Sequence, residues 1–160
     1  MKTKLMILGI IISAGIFGCK KESPKPLVFD NFSILYQVGF SPTNYLYEVV
    51  IDNTGLMQIT SSVKEFNNQS NYHLTDADLA LVKEKLGEVT TINFEKCYIG
   101  NIDAYDLPGS FIKYSVDGKK DSTSMHNVNQ NQLPDKLAAL LTTIGNLVEA
   151  NDTVNYSMGK

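Results

Sequence analysis

The chain has 160 residues with 14 basic and 17 acidic side chains, and every one of those basic residues is a lysine. Without residues 1–18, which have the features of an export signal, 142 residues remain with a net charge of about −5 (12 lysines against 17 acids), enough for one domain with a sizeable core. Nucleic acids and nucleotide phosphates are bound by basic surfaces in which arginine is prominent, so the composition excludes both as expected partners.

Residues 1–18 predict a bacterial lipoprotein signal. Lys2 and Lys4 precede a run of apolar and weakly polar residues over 5–17, which as a helix spans about 20 Å, short of the ~30 Å core of a bilayer. The run ends Ile16-Phe17-Gly18-Cys19, which resembles the lipobox of bacterial lipoproteins. The resemblance implies cleavage after Gly18 and attachment of acyl chains such as palmitate to Cys19, which would anchor the chain to a membrane.

Residues 19–27 predict a solvated tether, because they are polar, charged and contain prolines. Lys20 stands where an aspartate, by resemblance to lipoprotein sorting rules, would indicate retention in the inner membrane, so the outer membrane is the expected location.

A single domain is expected over 28–150 and a frayed polar tail over 151–160. Because lipid would consume the Cys19 thiol, Cys97 has no partner for a disulfide, and the fold must be stabilised by its core.

The first half of the domain predicts strands followed by a helix. Residues 27–39 and 45–51 are rich in β-branched and aromatic side chains, and residues 52–55 predict a turn into a partner strand over 56–62.

Local signals also predict the limits of the helix that follows. Thr75 can accept the Asp78 N–H in a variant capping box, with Leu74 and Leu79 packing against each other across the cap. Gly87 is the expected C-cap.

The second half predicts a hairpin and a second helix. Residues 111–116 alternate, Asp117-Gly118 predicts a tight turn, and residues 119–128 predict a polar strand that is half exposed or at an edge. Pro134 suits the first turn of a helix. That helix should pack through a wide apolar stripe formed by Leu133, Leu137, Leu140, Leu141, Ile144, Leu147 and Val148.

These elements predict an α+β two-layer sandwich, in which a mostly antiparallel sheet carries both helices on one face and the ββα unit occurs twice. Ile92, Phe94 and Tyr98 are expected to hold the connecting stretch 88–109 to the core.

The element order and three quoted segments, "HLTDADLALVKEKL", "INFEKCYI" and "DAYDLPGSFIKYSVDGKK", resemble an uncharacterised domain family of small bacterial lipoproteins. The resemblance covers roughly residues 32–149 and includes the step Asp106-Leu107-Pro108. It departs at Phe40-Ser41-Pro42-Thr43, near the place where many relatives have a cysteine. Because that family has no established activity, the resemblance implies a fold and an envelope location but no chemistry. At the level of the fold alone, repeated ββα units are also similar to periplasmic inhibitor domains of the β-lactamase-inhibitor type.

No motif predicts catalysis. Cys97 with His73 or His126 could form a nucleophilic pair, but the sequence fixes no distance between them, and a free cysteine is more often a small hydrophobic residue. The carboxylates Glu48 and Asp106 could be paired only if the fold brings them together. We therefore expect no catalytic residues and no enzyme activity.

No metal or cofactor is expected either. His73, Asp76 and Asp78 are close in sequence, but capping and the helix dipole account for both aspartates. Asp103 and Asp106 lack the dense, alternating oxygen ligands of a calcium loop.

The tyrosines are the candidate binding residues, because tyrosine combines a large contact area with a hydroxyl group and is favoured at interfaces. Tyrosine is also a good strand residue, so this pattern has a purely structural interpretation as well. The strand over 45–51 is apolar on both faces, so it is either covered on both sides or offers a docking surface. The candidates are Tyr36, Tyr45, Tyr47 and Tyr114.

The preferred interpretation is a lipid-anchored envelope protein that binds a protein or glycan partner through the sheet face opposite the helices. The first alternative is a structural or assembly subunit that associates through its terminal helix or an edge strand. The second is an undescribed enzyme that uses Cys97 or a carboxylate pair.

Overall fold

Seven strands and two helices form the part of the chain that the computed structural model describes, residues 29–41, 44–61, 69–100 and 109–151. A short 3₁₀ turn, Gln130–Gln132, precedes the second helix. The predicted signal, Cys19, the tether and the tail from residue 152 lie outside the described residues. In chain order the elements are β1 (Phe32–Ser41), β2 (Asn44–Asp52), β3 (Leu56–Ser61), β4 (Gln69–His73), α1 (Asp76–Val89), β5 (Cys97–Ile99), β6 (Gly109–Val116), β7 (Lys119–His126) and α2 (Asp135–Asn151).

The strands form one mixed sheet in the order β4-β3-β2-β1-β6-β7-β5. Every neighbouring pair is antiparallel except β5 and β7, which are parallel. The central strand β1 pairs with β2 on one side and β6 on the other, so it joins the two halves of the chain. The predicted α+β class and mostly antiparallel sheet are confirmed.

The repeated ββα unit is not shown. Four strands precede α1 and three precede α2. Two of these seven strands, β4 and β5, were not predicted, and they form the two edges of the sheet. Neither has the apolar alternation that reveals a strand in sequence, because an edge strand buries little of its surface. β7, predicted as half exposed or at an edge, is half exposed. It is not an edge strand, because β5 pairs with its last residues.

Both predicted turns are present. The Asp52 carbonyl accepts the Gly55 N–H at 3.1 Å, and its carboxylate accepts the Thr54 N–H at 2.9 Å. Asp117 and Gly118 have φ values of 46° and 85°, the positive values that a two-residue hairpin turn with right-handed strand twist requires.

The predicted cap of α1 is confirmed, and its predicted end is wrong. The Thr75 hydroxyl accepts the Asp78 N–H at 3.2 Å and donates to the Asp78 carboxylate at 2.7 Å. Gly87 is a buried residue within α1, which continues to Val89 and is capped by Thr90. The helix continues because Val89 adds one more fully buried side chain to its apolar face.

The helices cover one face of the sheet. Alternate strand residues, among them Ile34, Val49, Ile59 and Ile112, belong to a single buried cluster with residues of both helices. All seven apolar residues of the predicted α2 stripe are buried in it, as predicted. Helix α2 begins one residue after Pro134, whose carbonyl accepts the Ala138 N–H at 3.0 Å.

Candidate binding face

The sheet face opposite the helices, called here the open face, carries a mixture of apolar and polar side chains. Leu35 on β1 lies opposite Val50 on β2 and Lys113 on β6. Two residues further along β1, on the same face, Gln37 lies opposite Glu48 and Phe111. These rows place three apolar side chains on the central strands, and Leu35, Val50 and Phe111 are each partly exposed and lie outside the core cluster.

Polar groups border this apolar strip. The Gln37 Nε2 donates to the Glu48 Oε2 at 2.7 Å, which fixes both side chains on the open face. Gln58 on β3 lies opposite Val50, and the exposed Lys113 lies opposite Leu35. An apolar centre with a polar border is the usual anatomy of a protein interface.

Three of the four predicted tyrosines do not lie on this face. Tyr47 and Tyr114 are only 5% and 6% exposed and belong to the core. Tyr36 packs against that core and meets Tyr47 edge-on, with ring centroids 6.3 Å apart. The side chain of Tyr45 lies outside the described residues.

Burial also changes the chemistry of two tyrosines. Burial raises the pKa of Tyr36, although a hydrogen bond with Ser110 opposes the shift. Burial, together with the nearby negative charge of Asp121, raises the pKa of Tyr114, whose ring meets Phe94 edge-on at 5.9 Å. Both shifts favour the neutral hydroxyl, as expected for tyrosines that have a packing role.

The alternation of residues along β1 and β6 indicates the open face from sequence. In residues 111–116, Ile112, Tyr114 and Val116 occupy alternate positions, and Phe111 must then lie on the other face with Lys113. The same alternation in β1 separates Leu35 and Gln37 from Ile34 and Tyr36. Neither Phe111 nor Leu35 was among the predicted binding residues.

The pairs proposed around Cys97 are not assembled. Cys97 on β5 and His73 on β4 lie at opposite edges of the sheet, about 29 Å apart at ~4.8 Å per strand. His126 lies on the neighbouring strand, two residues beyond Ser124, which is opposite Cys97. The half-buried thiol contacts the Tyr98 carbonyl oxygen at 3.9 Å rather than the imidazole.

One ion pair lies near the same edge. Lys96 Nζ is 2.8 Å from the Asp121 carboxylate. That hydrogen bond, helped by the Ser122 N–H and opposed by partial burial, lowers the pKa of Asp121 below its ordinary value. The pair lies next to β5, whose start it helps to hold against β7.

Within the described ranges, no three or more His, Cys, Asp or Glu side chains are grouped so that they could bind a metal ion. Asp103 and Asp106, and with them the pair Glu48–Asp106, lie outside those ranges. No helix in the described part of the chain is long and apolar enough to span a bilayer.

Comparison with protein-family models gives no match, and comparison with curated proteins gives none either.

Proposed function

We propose that this chain is a lipid-anchored bacterial envelope protein whose domain is a non-catalytic binding module for a protein or glycan partner. The open face carries this proposal. Its central apolar strip, Leu35, Val50 and Phe111, is bordered by the hydrogen-bonded pair Gln37–Glu48 and by Lys113. The proposed contact surface is therefore this face rather than Tyr36, Tyr47 and Tyr114.

The composition of the open face suits a neutral or weakly acidic partner. Phe111 provides an aromatic ring on which an apolar side chain or a sugar ring can stack. Lys113 and the Gln37–Glu48 pair provide hydrogen-bonding groups beside Phe111, and Gln58 provides them beside Val50. Such groups orient a partner, while the apolar strip supplies area from which water is displaced.

The lipid anchor is proposed on the sequence Ile16-Phe17-Gly18-Cys19, and the resemblance to a family of small bacterial lipoproteins supports it. Acylation of Cys19 would place the domain on an envelope membrane, and Lys20 favours the outer membrane. In the native host, globomycin should leave the precursor uncleaved, and Cys19→Ala should abolish labelling with radioactive palmitate. Processing that is unchanged by both treatments contradicts the anchor.

The binding proposal is tested with the full-length chain, tagged at its C-terminus and recovered from crosslinked envelopes of the native host. We expect one reproducible partner, identified by mass spectrometry, whose recovery falls at least about tenfold for Phe111→Ala and Lys113→Glu. Purified cell-wall glycan, sedimented with the protein, tests the glycan alternative with the same variants.

Leu81→Ala is the matched control, because Leu81 is an apolar residue on α1 that is 40% exposed and lies away from the open face. It should leave recovery unchanged. Equal recovery with all three variants, or no protein and no glycan bound, contradicts the proposed face.

The alternative of assembly through the terminal helix loses its support, since the apolar stripe of α2 is buried within the domain. The enzyme alternative also has less support, because the thiol of Cys97 and the imidazole of His73 are at opposite edges of the sheet.

A further inference from the structure

Among the described residues, no strand pairs with the outer side of the edge strand β4. Leu74 N–H donates to the Gly55 carbonyl at 2.9 Å, so residues 55 and 74 form a hydrogen-bonded antiparallel pair. Hydrogen-bonded and non-hydrogen-bonded pairs alternate along an antiparallel ladder. His73, opposite Leu56, is therefore in a non-hydrogen-bonded pair, whereas Tyr72, opposite Met57, directs its backbone N–H and C=O toward β3. By the same alternation, the N–H and C=O groups of Gln69, Asn71 and His73 point away from the sheet.

The residues of β4 themselves have none of the charges, prolines or bulges that usually protect an edge strand from pairing. Its sequence, Gln69–His73, contains no lysine, aspartate, glutamate or proline, and its register with β3 has no bulge. Natural edge strands are commonly protected by charged side chains, proline or bulges. The opposite edge differs, because β5 has only three residues and follows Lys96, which is 82% exposed.

The outward row is complementary to itself. A twofold axis perpendicular to the sheet through Asn71 places Asn71 opposite its own copy and Gln69 opposite His73 of the second copy. Every outward-pointing residue then meets another outward-pointing residue, which gives roughly six hydrogen bonds. A rotation about this axis does not turn the sheet over. The helices of both copies therefore lie on the same side of the joined sheet, and the two open faces form one surface on the other side.

We propose that β4 pairs with β4 of a second copy of this chain, so that the protein forms a dimer with a continuous sheet. Asn71 lies on the axis with its side chain exposed on the open face. Its Cα is about 5.5 Å from its counterpart, a separation within the range of a disulfide.

The test uses the full-length chain in host membranes, with Cys97→Ser as the background and Asn71→Cys as the probe. A disulfide-linked dimer on a non-reducing gel is the expected result. Gln58→Cys is the matched control, because Gln58 lies opposite Asn71 on β3 and shares its face, but is roughly 14 Å from its counterpart in the dimer. Equal dimer yields from the two variants overturn the proposal.

A charge exchange provides the second measurement. Asn71→Lys alone and Asn71→Glu alone each place like charges together at the axis and should weaken dimerisation at least tenfold, as measured by native mass spectrometry in detergent. Co-expression of the two variants should restore a mixed dimer. Monomeric wild-type protein, or crosslinking of Asn71→Cys to a different polypeptide, overturns the pairing between copies.

Discussion

Asn31 and Asp117 bind each other through two hydrogen bonds. Asn31 N–H donates to Asp117 Oδ1 at 3.0 Å, and Asp117 N–H donates to the Asn31 carbonyl at 2.9 Å. Asn31 immediately precedes β1, and Asp117 is the first residue of the turn between β6 and β7. The turn therefore fixes the backbone at the start of β1.

Asp117→Ala should destabilise the domain by about 1–2 kcal/mol, because alanine loses the carboxylate acceptor and tolerates the φ of 46° poorly. Urea unfolding measures the change. Asp117→Asn is the control, since asparagine keeps an acceptor oxygen and readily adopts positive φ, and it should remain within about 0.5 kcal/mol of the wild type. Equal losses for both variants contradict this role of the turn.

Gly100→Ala should destabilise the domain by about 3 kcal/mol, since a Cβ there would be 1.8 Å from the Asn127 carbonyl oxygen. The obstruction is backbone, so a side-chain rotation cannot relieve it. Gly145→Ala is the opposite case, because nothing lies within 4 Å of its Cβ position in α2, and it should stabilise by about 0.5–1 kcal/mol. Thermal unfolding of both variants checks the predicted difference in sign.

Leu140→Ala should cost about 2–5 kcal/mol, because Leu140 is fully buried between α2 and the sheet. Leu81→Ala removes the same atoms from a partly exposed position and should cost less than about 1 kcal/mol. Chemical unfolding at two protein concentrations compares them. A Leu140→Ala variant as stable as the wild type would contradict the core position of the α2 stripe.

The pKa of Asp121 should lie below its ordinary value of 3.8, because Lys96 stabilises the charged carboxylate. The pair therefore contributes stability above the unfolded-state pKa, and that contribution disappears as the pH falls through the lower folded-state pKa. Lys96→Gln should raise the Asp121 pKa, measured by NMR titration of the carboxyl carbon. Lys120→Gln removes a neighbouring exposed charge and should change that pKa less.

The open face could be deduced only in part from sequence. Alternation within residues 111–116 separates Phe111 from Ile112 and Tyr114. The strand over 45–51 gives no such separation, because both of its faces are apolar. Its pairing register with β1 decides the separation, because Val49 lies opposite Tyr36 on the side of the helices and Val50 lies opposite Leu35 on the open face.

The sequence by itself determined the features that depend on neighbours along the chain: the Thr75 cap, the turn at Asp117-Gly118 and the apolar stripe of α2. Each arises from side chains or backbone groups within a few residues of one another, whose geometry the local sequence constrains. Only the tertiary structure decided the central pairing of β1 with β6 and the placing of β4 and β5 at the two edges. Those contacts join residues far apart in sequence through backbone hydrogen bonds. Every residue except proline has both a backbone donor and a backbone acceptor, so the side chains alone did not specify which strands pair.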